Sequence, residues 1–363
     1  MRVGIGALVG VLGGPATYAR ELIGALARLG GHEYVVFTDR PDAFAGVDAP
    51  TVHVPLRTAY HQVMWDHWAL PALVSEERVQ LYHGTKNVLP WRLPVPGVVT
   101  VHDLAVYACP ETFALPQRWH LRALIPRSVA RSVRVVADSE HARHDIMMRF
   151  GVAPERVVAI PLGVTDAYRG AVVESAVARL RRIHALGEHV VACVGTVQPR
   201  KHIERVIEAF VRTGAEAEGW TLAIAGRVRP HHAPKWLSAL PPGARFLGPL
   251  DDGDLRALYA TAAIAMSASE YEGFGLTVLE AMAGGCAVIA VGTTSIPEVV
   301  GDAGVLVPDS DAGLLADALA ALMRDPARRA ALADAARRRA AGFTWEETAR
   351  RTRAVYEEAL ACG

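Results

Sequence analysis

The 363-residue chain is short of several things, and each shortage removes a class of protein. It has no excess charge: 38 Lys and Arg stand against 38 Asp and Glu. A nucleic-acid-binding domain usually carries a basic excess, so a generic polyanion binder is excluded, whereas a small anion held at one point is not. The four cysteines, Cys109, Cys193, Cys286 and Cys362, lie far apart with no C-x-x-C pair. Neither a zinc ribbon nor a disulfide framework is indicated, and a reducing cytoplasmic setting is expected. No apolar run is long enough to span a membrane. Neither G-x-G-x-x-G nor the G-K-[ST] of a P-loop is present, which counts against a dehydrogenase and a P-loop NTPase. Lysine is scarce, with only Lys86, Lys201 and Lys235 among the basic residues. The opening residues Met1–Val9 carry one basic residue, early glycines and no cleavage site, so they read as a buried strand rather than a signal peptide.

What the chain does have is apolar sequence, 51% of its residues, enough for sizeable cores. Apolar, β-rich runs fall at 2–8, 34–38, 51–54, 97–101, 134–137, 156–160, 190–194, 221–225, 245–247, 263–266, 287–290 and 304–307. Helical patterns lie between them near 15–29, 61–76, 116–132, 139–150, 202–212, 252–260 and 277–283. Continuous apolar strands alternating with helices predict α/β architecture with parallel sheets covered on both faces. So many strands exceed one comfortable sheet, which predicts two Rossmann-like domains with a crevice between them. The expected division gives residues 1–165 to the first domain and 166–343 to the second, with a linking helix at 171–184. After 311 the chain reads as all helix. Thr344 and Glu347 form a capping-box pattern opening a last helix, 344–363.

In such sheets ligands sit beyond the carboxyl ends of the strands, so the loops there carry the candidate chemistry. The first, Gly10-Val11-Leu12-Gly13-Gly14-Pro15, leads from a strand into a helix, where glycines let an anion approach free N–H groups. The alternative is a tight turn without a ligand. His102-Asp103 follows the strand 97–101, and a histidine there can donate to a sugar hydroxyl or to charge developing in a reaction; otherwise it caps its loop through Asp103. His83, ending a possible short strand, is a lesser case. Gly195-Thr196-Val197-Gln198-Pro199-Arg200-Lys201-His202 places adjacent cations where they can neutralise a diphosphate, or can be a solvated basic pair. Gly226-Arg227 and Phe246-Leu247-Gly248-Pro249-Leu250 close two further strands, near the expected base of a nucleotide.

The richest segment is Ser267–Glu280. A strand runs through a glycine-bearing loop into a helix starting near Leu276, whose first turn offers N–H groups to a phosphate. Glu272 precedes that turn and Glu280 lies further along the helix, and carboxylates accept hydrogen bonds from vicinal hydroxyls. A carboxylate pair is also compatible with glycosidase chemistry, although the adjoining phosphate site favours a nucleotide sugar. The helix around 116–132 carries Arg118, Arg122, Arg127 and Arg131 with Trp119, but its arginines divide between opposite faces and Pro126 is expected to interrupt it, so peripheral contact at an inner membrane face is a lesser reading.

Together these motifs resemble the retaining glycosyltransferases of family four, which have the GT-B fold. Glu272 through Glu280 is similar to the family's E-x7-E motif, Gly195-Thr196 with Pro199-Arg200-Lys201 to its phosphate loop, and Val99–Leu104 to its V-T-x-H-D-L loop. Trp65–Pro71, Ser295–Val299 and Phe343–Glu346 also look like family segments, and the chain is most like the bacterial mannosyltransferase-B-like subgroup. The resemblance implies that Glu272 binds the donor sugar's hydroxyls and Glu280 the ribose. It implies that Arg200 and Lys201, with the Leu276 and Thr277 amides after Gly275, neutralise the diphosphate, while Gly14 approaches it and His102 contacts the transferred sugar. It further implies transfer with retention, no bound metal or other cofactor, and a last helix that crosses back onto the first domain. The chain departs from the family pattern at Thr277, where many members have Pro, at His202, where many have Asn, and at Thr196, where several have Arg.

The expectation is therefore a glycosyltransferase moving a hexosyl unit from a UDP- or GDP-linked sugar to an acceptor hydroxyl on a glycan, a lipid-linked sugar or a small molecule. The rivals are an epimerase of the same fold and a non-catalytic donor-binding subunit. The intact His102, Lys201 and Glu272 set speaks against the latter.

Overall fold

Short runs of buried aliphatic residues make the strands, and helices lie between most of them. The computed structural model describes residues 1–8, 13–54, 65–229, 232 and 234–361. Gly10, Val11 and Leu12, and the first part (61–64) of the helix expected near 61–76, lie outside the described residues. The chain divides into an N-terminal domain, Met1–Gly163 with Thr344–Gly363, and a C-terminal domain, Val164–Phe343.

The N-terminal sheet contains β1 (Arg2–Ala7), β2 (Glu33–Thr38), β3 (Thr51–His53), β4 (Leu81–Gly84), β5 (Gly97–Val101), β6 (Arg134–Ala137) and β7 (Val157–Ala159), ordered β3-β2-β1-β4-β5-β6-β7. The C-terminal sheet contains β8 (His189–Val194), β9 (Trp220–Ala225), β10 (Ala244–Gly248), β11 (Ile264–Ser267), β12 (Ala287–Val291) and β13 (Val305–Val307), ordered β10-β9-β8-β11-β12-β13. Every pairing in both sheets is parallel. Two Rossmann-like parallel sheets are thus present, as the strand–helix alternation predicted. In each, the strand order reverses beside the first strand of the domain, between β1 and β4 and between β8 and β11, which is where such sheets bind ligands.

Four helices matter for the site: α1 (Gly14–Leu29), α2 (Ile203–Arg212), α3 (Leu276–Gly284) and α4 (Trp345–Ala361). Ala19, Leu22, Ile23 and Leu26 of α1, and Ile203, Val206, Ile207 and Phe210 of α2, are buried at i, i+3, i+4, i+7 spacing, the stripe of a helix lying on a sheet. Helix α4 packs along α1, and its Trp345, Thr348, Ala349, Thr352, Val355, Tyr356 and Ala359 are buried. The chain turns into α4 beside Gly163, where a Cβ would lie 2.2 Å from the Trp345 nitrogen, so only glycine fits.

Three expectations change. Leu81–Gly84, read only as a possible short strand, is central and pairs with both β1 and β5. The helix Leu115–Arg131 runs through Pro126 rather than breaking there. Proline cannot donate to the carbonyl of Arg122 four residues earlier, but the Tyr107 hydroxyl donates to that oxygen at 3.2 Å and replaces the missing bond. The capping box at α4 is half formed: the Glu347 N–H donates to Thr344 Oγ1 at 3.2 Å, while the Glu347 carboxylate turns to Arg350 at 2.6 Å.

Candidate active site

In the C-terminal domain, β8 ends at Val194 and the chain passes through Gly195 and Thr196 into a short turn, Pro199–Lys201, that delivers it to α2. This loop is fastened to the one after β9: the Val197 N–H donates to the Arg227 carbonyl at 2.8 Å, and the Arg229 N–H returns to the Val197 carbonyl at 3.1 Å. A Cβ on Gly226 would lie 1.8 Å from the Gly195 oxygen, so the two loops can approach this closely only with glycine between them. Thr196 is half-buried on this ridge, the Arg227 side chain is exposed, and Leu250, past the end of β10, is half-buried. A Cβ on Gly195 would lie 3.6 Å from Lys201 Cε, so the lysine stem lies over the glycine.

Lys201 and Arg200 converge on one carboxylate. Glu272 is only 7% exposed, a position an unpaired charge does not occupy. Lys201 Nζ binds its Oε1, and Arg200 Nη1 binds its Oε2 at 3.1 Å while also donating to the Tyr271 carbonyl. The Glu272 backbone is held as well: its N–H donates to Thr294 Oγ1 at 3.0 Å, and the Ser295 hydroxyl donates to its carbonyl at 2.9 Å. Burial alone would raise this carboxyl, but the charges of Lys201 and Arg200, with hydrogen bonds from Lys201 and Ser269, hold it down at about 2. Thr294 and Ser295, in the loop after β12, support the site without having been assigned to it from the sequence. The signal was their place at a strand's carboxyl end.

Directly beyond Glu272, Gly275 takes φ +100° and starts α3; a Cβ there would also lie 2.6 Å from Ile296 Cδ1. The Val278 and Leu279 amides donate back to the Gly275 carbonyl at 2.9 and 3.1 Å. The amides of Leu276 and Thr277 begin the helix, where no intrahelical acceptor exists, and they are the ones suited to an anion. Glu280 lies on the same helix, 8% exposed, and the Tyr259 hydroxyl donates to the Thr277 carbonyl at 3.0 Å. One face of this domain therefore unites Gly195, Arg200, Lys201 and Glu272, with Gly275, Leu276, Thr277 and Glu280 following on α3.

The remaining candidates belong to the N-terminal domain. Gly13 caps α1 and Gly14 is its first residue; a Cβ on either meets nothing within 4 Å, so the helix start is open. His102 follows β5. Its Nε2 faces the Thr85 carbonyl at 2.8 Å and must carry a proton there; its Nδ1 faces Asp138 Oδ2 at 2.8 Å. Burial opposes a charged ring, but the charge and hydrogen bond of Asp138 win and raise the imidazole above its ordinary value. The partner is Asp138, past the end of β6, and not the neighbouring Asp103, whose Oδ1 instead accepts from the Ala105 N–H at 3.0 Å. The Thr85 carbonyl and Asp138 together hold the ring in one orientation. His83 is a core residue: fully buried, its Nδ1 is 2.7 Å from the Tyr356 hydroxyl and its Nε2 2.7 Å from Thr100 Oγ1. Burial, then the neighbouring His102, push it down to about 3.

Two parallel Rossmann-like sheets, with a buried cation–carboxylate cluster and a helix start at the strand ends of the second, define the class: an enzyme of the GT-B fold. The profile described as Glycosyltransferase Family 4 matches residues 12–168, and that described as Glycosyl transferases group 1 matches residues 178–339. The chain belongs to this glycosyltransferase family. It is 27% identical over 302 residues to O-antigen chain mannosyltransferase B of Escherichia coli, covering 80% of this chain and 76% of that protein. It is 31% identical over 255 residues to the MMP alpha-(1->4)-mannosyltransferase of Mycolicibacterium hassiacum, covering 68% of this chain and 59% of that protein. In fold it resembles Anabaena HepE, solved in complex with UDP-glucose, with a TM-score of 0.79 and 18% identity over 99% of this chain and 100% of that one. Among the described residues no helix is long and apolar enough to cross a membrane.

Proposed function

We propose that this glycosyltransferase moves a hexosyl unit, with mannosyl the first choice, from a nucleoside-diphosphate sugar to an acceptor hydroxyl in glycoconjugate assembly. Two similar proteins bear the name mannosyltransferase, and a neighbour in fold was solved with UDP-glucose. The observation that carries the reading is the cluster of Lys201, Arg200 and Glu272 beside the start of α3. Two adjacent cations share this one carboxylate, in a chain whose total charge is zero. Lysine and arginine have three and five N–H donors, so each can serve a diphosphate as well as Glu272. As the diphosphate leaves, its growing charge is taken up by Lys201, Arg200 and the Leu276 and Thr277 amides, all fixed before reaction.

Glu272 has the wrong poise for a glycosidase acid, which needs a raised carboxyl; this one is held down at about 2 and accepts only. That suits it to the donor sugar's hydroxyls, and Glu280 to the ribose. Retention, a site without metal, the approach of Gly14 to the donor phosphate and a contact from His102 to the transferred sugar follow from the motif resemblance, and a cytoplasmic setting from the scattered cysteines. The acceptor oxygen attacks the anomeric carbon, the bond to phosphate breaks, and the leaving phosphate takes the acceptor's proton. Glu272→Ala and Lys201→Ala are each expected to abolish transfer with the circular dichroism spectrum unchanged. Full transfer by either variant sinks the assignment. Binding across UDP-, GDP- and TDP-sugars identifies the donor.

A further inference from the structure

His202 directly follows Lys201 and stands at the head of α2 with φ +44°, a left-handed conformation in which histidine and asparagine are tolerated better than most residues. Its ring reaches two carboxylates on separate segments. Nδ1 lies 3.3 Å from Glu204 Oε1 in the first turn of α2, and Nε2 lies 3.0 Å from Glu270 Oε2, two residues before Glu272. Ionised carboxylates only accept, so both ring nitrogens must donate and the ring is an imidazolium. The two segments are also stitched through their backbones: the Glu270 N–H donates to the Arg200 carbonyl at 3.0 Å, and the Ser269 hydroxyl reaches the same oxygen at 3.3 Å. The charged groups facing the ring are Glu204 from α2 and Glu270 from the loop after β11. The neighbouring cations are turned elsewhere, Arg200 and Lys201 to Glu272 and Arg205 to Glu208.

We propose that His202 is a positioning residue for transfer: as an imidazolium it clamps the segment bearing Glu272 to the loop bearing Arg200 and Lys201, keeping the three groups in register for the donor. The proposal rests on the reading of that cluster as the donor site. A neutral imidazole has a single N–H, so its other nitrogen would present a lone pair to a carboxylate and the clamp would open. The hydrogen bond to Glu204, against the opposing effect of burial and with further help from Glu270, pushes the imidazole up to about 9. The clamp is therefore closed through the neutral range and lost as pH rises through about 9.

The test measures kcat/KM for the nucleotide sugar against pH in the wild type, His202→Asn, Glu270→Gln and the double variant. Asparagine accepts the left-handed backbone but carries no charge and has a shorter reach. Each single variant is expected to lose about tenfold in kcat/KM at neutral pH, the scale of one charge-assisted hydrogen bond. Each should also lose the alkaline limb near about 9 seen in the wild type, with little further loss in the double variant. A His202→Asn enzyme with wild-type kcat/KM and an unchanged alkaline limb overturns the clamp, as do losses that add fully in the double variant. A wild-type protein that binds no UDP-, GDP- or TDP-sugar overturns the donor-site reading instead, so the two failures are told apart.

Discussion

His83 and His202 both stand near the carboxyl ends of parallel strands, one in each domain, and they carry opposite charge states. His83 is fully buried between two hydroxyls, Tyr356 and Thr100, and burial holds it neutral down to about 3. His202 is half-buried between two carboxylates and stays protonated up to about 9. Around His83, the bonds from Tyr18 to Thr100, from Thr100 to His83 and from His83 to Tyr356 tie α1, the sheet and α4 into one core. Around His202, ion pairs tie together loops that leave β8 and β11. Strand-end position alone thus does not assign a role. Whether the partners are hydroxyls or carboxylates decides it, and through it the charge.

The contrast breaks most sharply at Glu272. Its carboxyl lies at about 2 against an ordinary 4.5, so its stabilisation is complete above about 4.5 and is lost as pH falls toward about 2. That shift corresponds to about 3 kcal/mol. Acid unfolding followed by calorimetry should therefore shift in Glu272→Gln, and an unchanged acid limb would show that the cluster does not stabilise the fold. Removing the carboxylate from His102 should move it toward the neutral kind of histidine. In Asp138→Asn burial, the largest influence, is opposed only by Asp103 and the hydrogen bond to Thr85, so the imidazole should titrate lower than in the wild type. The sign follows: in the wild type this stabilisation is present at low pH and lost as pH rises through the raised value. Imidazole NMR during a pH titration reads the change directly. The smallest effect belongs to the hydroxyl core, where Tyr356→Phe leaves His83 Nδ1 without its partner at a cost of about 1–2 kcal/mol. Denaturant melts measure that loss, and donor binding should be untouched if the His83 network serves only the core.

Much of this was legible in the chain. Twelve apolar runs were readable as strands because fully buried parallel strands are continuously apolar. Leu81-Tyr82-His83-Gly84 was weaker because its histidine looks polar until Thr100 and Tyr356 are seen to satisfy it. Pro126 read as a helix break because its compensating donor, Tyr107, lies on a different segment. The Glu272 loop and the Arg200-Lys201 loop were each visible as strand-end motifs. Their joining into one ion cluster was not, because 71 residues separate Lys201 from Glu272 along the chain.

The sequence by itself determined two parallel sheets, their strand-end loops and the residue types those loops carry, because apolar periodicity and glycine placement are local properties. Only the tertiary structure decided which charges meet. Asp138 rather than Asp103 holds His102, Glu272 holds both cations, and Glu270 reaches His202. Parallel sheets bring together loops that lie far apart in the chain, and the protonation of a buried group is set by what surrounds it in space.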